Sequence, residues 1–202
     1  MIGAHLDSWT GAAGATDNAA GCAVLIEAMR VLRAAGARPS RTIRLALWGG
    51  HEGASVPGSK VYIDEHFGNG TVSGSAREKL FLYLNLDNGG GRVRGIYLPQ
   101  RDAQARPMLE SWMEPLRHLG ATTVAPIGEP SGSDHANFYT SGLTGFMLVQ
   151  DPLDYRSRTR HANLDTFDHL VKADLEQAAA VVASLALQAA DEETMVPRAS
   201  ER

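Results

Sequence analysis

Short apolar runs alternate along this chain with stretches of helical period, and that alternation narrows the fold more than any other feature. The runs are residues 2–6, 42–48 (TIRLALW), 80–86 (LFLYLNL) and 144–150 (TGFMLVQ). Each is too short for an ordinary helix and is nearly all apolar, as a strand buried on both faces is. Between them, residues 18–35 repeat Cys22, Leu25, Ile26, Met29 and Leu32 at helical spacing. Residues 56–66, 105–119 and 173–190 read as further helices, with Pro115 interrupting the third. Strands separated by helices predict an α/β three-layer sandwich, with a mostly parallel central sheet flanked by helices. With 202 residues, one domain over 1–190 can bury its own core, followed by a polar tail at 191–202.

Charge and cysteine content exclude several classes. The net charge is −4, and Lys60, Lys79 and Lys172 are the only lysines, so no clustered basic footprint marks a nucleic-acid partner. Cys22 is the single cysteine, which excludes an intrachain disulfide framework. No apolar run approaches the ~18–20 residues of a membrane span. The opening MIGAHLDSW lacks the basic region of a signal peptide, and the compartment stays open. His5 and Asp7 lie so near a terminus, where chains fray, that a fragment of a longer protein is expected.

In a parallel sheet, sites lie beyond the carboxyl ends of the strands. There the chain places His5, Asp7 and Asp17 after the first run, His51 and Glu52 after the second, and Asp87 at the end of the third. The loop after the fourth carries Asp151, Asp154, His161, Asp165 and Asp168. Imidazoles and carboxylates are the donors of zinc and similar ions. His5, Asp17, Glu52, Asp87 and His161 would supply two ions if one aspartate were shared, leaving each ion a position open for water. Each also has a plainer reading. Asp17 could cap a helix, Glu52 could open one, Asp87 could sit in a turn, and His161 could be a surface histidine.

Six segments, in order, carry a resemblance. His5-Leu-Asp7, Thr16-Asp17-Asn18-Ala-Ala-Gly21, Trp48-Gly-Gly-His-Glu52, Asn85-Leu-Asp87, Ser133-Asp134-His135 and His161-Ala-Asn-Leu-Asp165-Thr166 are similar to the co-catalytic dinuclear zinc exopeptidases. These are the relatives of bacterial leucyl aminopeptidase and plasma glutamate carboxypeptidase (carboxypeptidase Q). The resemblance implies His5 and His161 as histidine ligands, Asp17 as the bridging carboxylate, and Glu52 and Asp87 as terminal ligands, one per ion. It implies Asp7 and Asp165 as supports, a cis peptide after Asp17, and Asp134 and His135 near the substrate pocket. The implied cofactors are two Zn²⁺, replaceable by Co²⁺ or Mn²⁺. The implied substrate is a short peptide, cleaved in aminopeptidase or dipeptidase fashion through a bridging water. Tyr155 is a candidate oxyanion donor, and Arg156, Arg158 and Arg160 could face a substrate carboxylate. Relatives of this kind are commonly secreted or periplasmic.

The chain departs from the family at two points. Family domains have sheet elements before the first histidine ligand, so an N-terminally truncated domain with exposed apolar surface is expected. The family's general base is a glutamate where this chain has His51. An imidazole can accept a proton, can bind metal directly, or can leave a weakened or inactive metal-binding homologue. Two rivals stand further off. A glutaminyl cyclase shares the fold and would hold a single metal. A serine hydrolase would need a G-x-S-x-G elbow after a strand, and none occurs.

Overall fold

A computed structural model describes residues 1–68 and 75–197. In chain order the elements are β1 (Ile2–His5), α1 (Ala20–Ala34), β2 (Leu45–Trp48), α2 (Gly58–Phe67), α3 (Ser75–Lys79), β3 (Tyr83–Asn85), β4 (Val93–Pro99), α4 (Arg106–Met113), β5 (Thr123–Ile127), α5 (Asp134–Thr140), β6 (Gly145–Gln150) and α6 (Lys172–Asp191). One six-stranded sheet runs in the order β2-β1-β3-β6-β4-β5. Pairings are parallel except β4 with β6, which is antiparallel. The mostly parallel sandwich expected from the alternation is present.

Helices cover both faces. On one, α1 and α6 pack together, and Leu25, Ala28, Val181 and Leu185 meet Ile2, Leu84, Phe146 and Leu148 of the strands. On the other, α2 and α5 pack over Trp48, Tyr83 and Leu143. The Phe138 ring there is fully buried and stacks on Tyr83 with centroids 4.1 Å apart. Phe138→Ala removes that ring from a site its neighbours cannot refill. It is expected to cost about 3–5 kcal/mol in denaturant unfolding.

Three elements differ from the expectation. Residues 93–99 and 123–127 form strands that the apolar pattern did not show. β4 carries Gly95 and Pro99, and β5 carries Pro126, an edge-strand residue. At Gly95, beside a register shift with β6, a Cβ would lie 1.8 Å from the Thr123 carbonyl oxygen, so only glycine allows this approach. Residues 134–140 form a helix that was also unread. Residues 105–119 are interrupted near Pro115 as expected, giving α4 and a 3-10 segment at Glu114–Leu119.

β2 is a sheet edge. At the amino ends of the strands an apolar groove of about 540 Å³ opens beside Ile2, Ile43, Phe67, Leu80 and Leu84. The start of the segment assigned to a polar tail is docked: Val196 is buried, and Glu192 accepts a hydrogen bond from the Trp112 indole at 3.2 Å. Residues 198–202 of that segment lie outside the described residues. Among the described residues, no helix is long and apolar enough to cross a membrane.

Candidate metal centre

β2, β1, β3 and β6 run parallel, so their carboxyl ends share one edge. The chain turns from β1 to β2 on one side and places β3 on the other, which opens a crevice between β1 and β3. His5 ends β1, Asp87 follows β3, and His51 and Glu52 lie in the turn after β2. Asp17 sits in the turn before α1, and Tyr155 and His161 lie in the loop after β6.

These side chains meet. His5 Nε2 lies 3.2 Å from Asp17 Oδ1 and 3.0 Å from Asp87 Oδ1. His161 Nε2 lies 3.2 Å from Glu52 Oε1 and 3.6 Å from Asp17 Oδ2. The donor atoms of His5, Asp17 and Asp87 fall within 4.8 Å of one another, and so do those of Asp17, Glu52 and His161. Asp17 therefore belongs to both triplets and turns one oxygen toward each. The plainer readings lose ground. The cap-like bond at the start of α1 comes from Asn18, whose Oδ1 accepts the Gly21 N–H at 3.2 Å. Glu52 lies before α2 rather than at its start.

The donor set fits a cation. Asp17 Oδ2 and Glu52 Oε1 are buried and have no hydrogen-bond partner, because the approach of His161 lacks hydrogen-bond geometry. Leaving buried carboxylate oxygens unpaired is costly. Burial disfavours the charged His5 ring, yet Asp17 and Asp87 overcome it and hold its pKa up at about 11. Burial, then the charge of Asp17, raises Glu52 above the usual carboxylate range. The cluster thus draws positive charge toward itself, and a divalent ion would answer the same carboxylates. Oxygen and imidazole donors suit zinc, cobalt or manganese.

Neighbouring acceptors hold these groups in place. His5 Nδ1 donates to the Asp7 main-chain carbonyl at 2.9 Å. The Asp7 carboxylate lies 3.7 Å from that ring, and accepts the N–H of His51 at 3.1 Å and of Glu52 at 2.8 Å. So Asp7 orients His5 with its main chain and the 51–52 turn with its side chain. Asp165, fully buried, accepts the N–H of Thr16 at 2.6 Å and of Asp17 at 2.9 Å. The Asp17–Asn18 peptide is cis. At Gly21 a Cβ would lie 2.7 Å from the Leu86 carbonyl oxygen, so glycine brings the start of α1 up to the strand that leads to Asp87.

Further residues hold the cluster from behind. Trp48 Nε1 donates to Tyr83 Oη at 2.8 Å, and Tyr83 Oη donates to Asn85 Oδ1 at 2.5 Å. Asn85 Nδ2 donates to Ser133 Oγ at 2.7 Å, and Ser133 Oγ donates to Asp87 Oδ2. This chain of bonds fixes the Asp87 carboxylate from the core side. Trp9 stacks on His161, with centroids 4.5 Å apart and planes 7° apart. His161 has φ +56°, a strained value for a residue with a side chain. Trp48, Asn85 and Ser133 fall within the quoted segments, whereas Trp9 and Tyr83 carried no signal.

A cavity of about 260 Å³ opens beside the cluster, lined by Asp17, Glu52, Asp87, His51, Tyr155 and His161, with Ser131–Ser133, Arg156 and Arg160. Burial, then the charges of Asp87 and Asp17, pushes the Tyr155 hydroxyl far above its usual pKa, so it stays a donor. Asp134 and His135 do not line the cavity. Both are buried behind it, where Asp134 bonds His51 and the Ser59 hydroxyl, and burial lowers His135 to about 4. Their expected place on the substrate pocket is corrected accordingly. Asp151 pairs with Arg94 at 2.6 Å and Asp154 with His169 at 2.6 Å, away from the cluster.

The Asp165 bonds lead to a test. Asp165→Asn keeps the shape but removes a charged acceptor from two buried N–H groups. Affinity for added Zn²⁺, read by competition with a chromophoric chelator, is expected to fall about 10–100-fold.

An α/β sandwich with a carboxylate and imidazole cation site at the carboxyl edge of its sheet is the class that fold and geometry define. A family model, Peptidase family M28, matches residues 1–186. The chain belongs to that family. It is 31% identical over 198 residues to carboxypeptidase Q of Bos taurus, covering 98% of this chain and 39% of that protein. A peptidase M28 precursor from Shewanella amazonensis SB2B has a similar structure, with a TM-score of 0.80 and 29% identity over 100% of this chain and 43% of that one. The fold is also that of a zinc aminopeptidase from Bacillus subtilis, with a TM-score of 0.72 and 24% identity over 96% of this chain and 46% of that one. The chain thus spans less than half the length of these relatives.

Proposed function

We propose that this chain forms the metal-binding unit of an exopeptidase that hydrolyses short peptides. Two Zn²⁺ would be held by His5, Asp17 and Asp87 on one side and by Asp17, Glu52 and His161 on the other. The observation that carries the reading is the sharing of Asp17 between two donor triplets, with buried carboxylate oxygens left unpaired. Bovine carboxypeptidase Q and the bacterial zinc aminopeptidase are peptidases by name, which supports the same reaction class here.

When bound, the ions would activate water and polarise the scissile carbonyl. The residues do the rest. A cavity of about 260 Å³ is small for a ligand site and suits one end of a short peptide. Tyr155 lines it, and its O–H would donate to the carbonyl oxygen as negative charge grows there. Arg156 and Arg160 line the same cavity and would attract a peptide carboxylate. The Ser133 hydroxyl keeps the Asp87 carboxylate turned toward His5.

One observation favours a second reading of the same site, as a weakened hydrolase. The expected glutamate base is replaced by His51, whose ring is tied to buried Asp134 at 3.1 Å. Turnover of dipeptides and aminoacyl anilides by the Zn²⁺-loaded chain, before and after chelation, tests the proposal. Cleavage of single terminal residues, lost on chelation and restored by Zn²⁺, is expected. Cleavage that survives chelation would exclude it.

A further inference from the structure

His51 is placed to bind metal. Its ring lies flat against that of His5, with centroids 4.1 Å apart and planes 9° apart. Its Nδ1 is 3.1 Å from Oδ2 of Asp134, which is fully buried and takes the Ser59 hydroxyl on its other oxygen. With Nδ1 turned to the Asp134 carboxylate, Nε2 is the nitrogen left to meet a cation, and it faces the cluster. Nε2 lies 3.8 Å from Asp87 Oδ2, and the donor atoms of His5, His51 and Glu52 fall within 4.8 Å of one another.

We propose that His51 is a metal ligand, adding Nε2 to the donor cluster beside His5 and Glu52. The inference rests on the metal-site reading above and gives His51 a role other than proton acceptor. A carboxylate on the far nitrogen is the usual support of a metal-bound imidazole, because it fixes the tautomer and raises the basicity of the donor. Asp134 supplies that support from a buried position. The occupant of the base position then serves the metal instead of the proton.

Loading the full chain with ¹¹³Cd²⁺ and recording ¹⁵N–¹¹³Cd couplings on labelled histidines counts the ligands directly. Coupling is expected at three rings, His5, His51 and His161. His51→Ala should remove one and weaken the tighter ion by more than the ~10–100-fold that loss of a supporting partner costs. Asp134→Asn should keep all the couplings and weaken the same ion by about 10–100-fold. A fully loaded wild type coupled only at His5 and His161 overturns the inference and leaves the metal site standing, and it does so even if His51→Ala fails to fold. A wild type that takes up no ion overturns both.

Discussion

Asp17→Asn is expected to abolish uptake of both ions together. Asparagine keeps the size of the side chain but loses the charge and one carboxylate oxygen. Oδ1 of Asp17 faces His5 at 3.2 Å, and Oδ2 faces His161 at 3.6 Å. A site that shares one carboxylate cannot lose it on one side alone. In thermal unfolding, wild type with free Zn²⁺ at 100 times its dissociation constant should gain about 2.7 kcal/mol over the metal-free form, and the variant should gain nothing. The metal-free proteins should differ far less, because the variant loses an ion pair with His5 but also relieves a buried charge. A variant that still binds one ion with wild-type affinity would show that Asp17 serves a single site.

The second large effect runs in the opposite direction. His51→Glu is expected to raise kcat/KM for dipeptides by roughly 10²–10⁴, the usual contribution of a placed general base. The turn that carries residue 51 is already fixed by Asp7, whose carboxylate holds the N–H of both His51 and Glu52. A glutamate there would start from the right main-chain position. Its carboxylate would no longer bond Asp134 and would be repelled by it, which turns it toward the cavity. An unchanged kcat/KM in a folded His51→Glu of wild-type metal content would show that a missing base at position 51 does not limit the reaction.

The donor cluster was legible in the sequence because strand ends have one address. Once the short apolar runs are taken as parallel strands, His5, Glu52, Asp87 and His161 must gather at one edge, and the structure gathers them. The position of Asp17 came from its motif, since a turn before a helix has a cap as its first explanation. The supports were illegible for a physical reason. Trp9 under His161, Trp48 on Tyr83 and Asn85 on Ser133 act through contacts between residues far apart in the chain. Asp134 and His135 were placed too near the substrate because their motif gives proximity and not direction; α5 turns them inward. β4 and β5 escaped because glycine and proline break their apolar runs, although packing against α4 and α6 holds them as strands.

The central claim is that one aspartate joins two cation sites at the carboxyl edge of the sheet. Metal content per chain, measured by mass spectrometry after reconstitution with Zn²⁺ and removal of excess, tests it most directly. The account predicts two zinc ions per wild-type chain and none in Asp17→Asn. One ion per wild-type chain, or two in the variant, would contradict it.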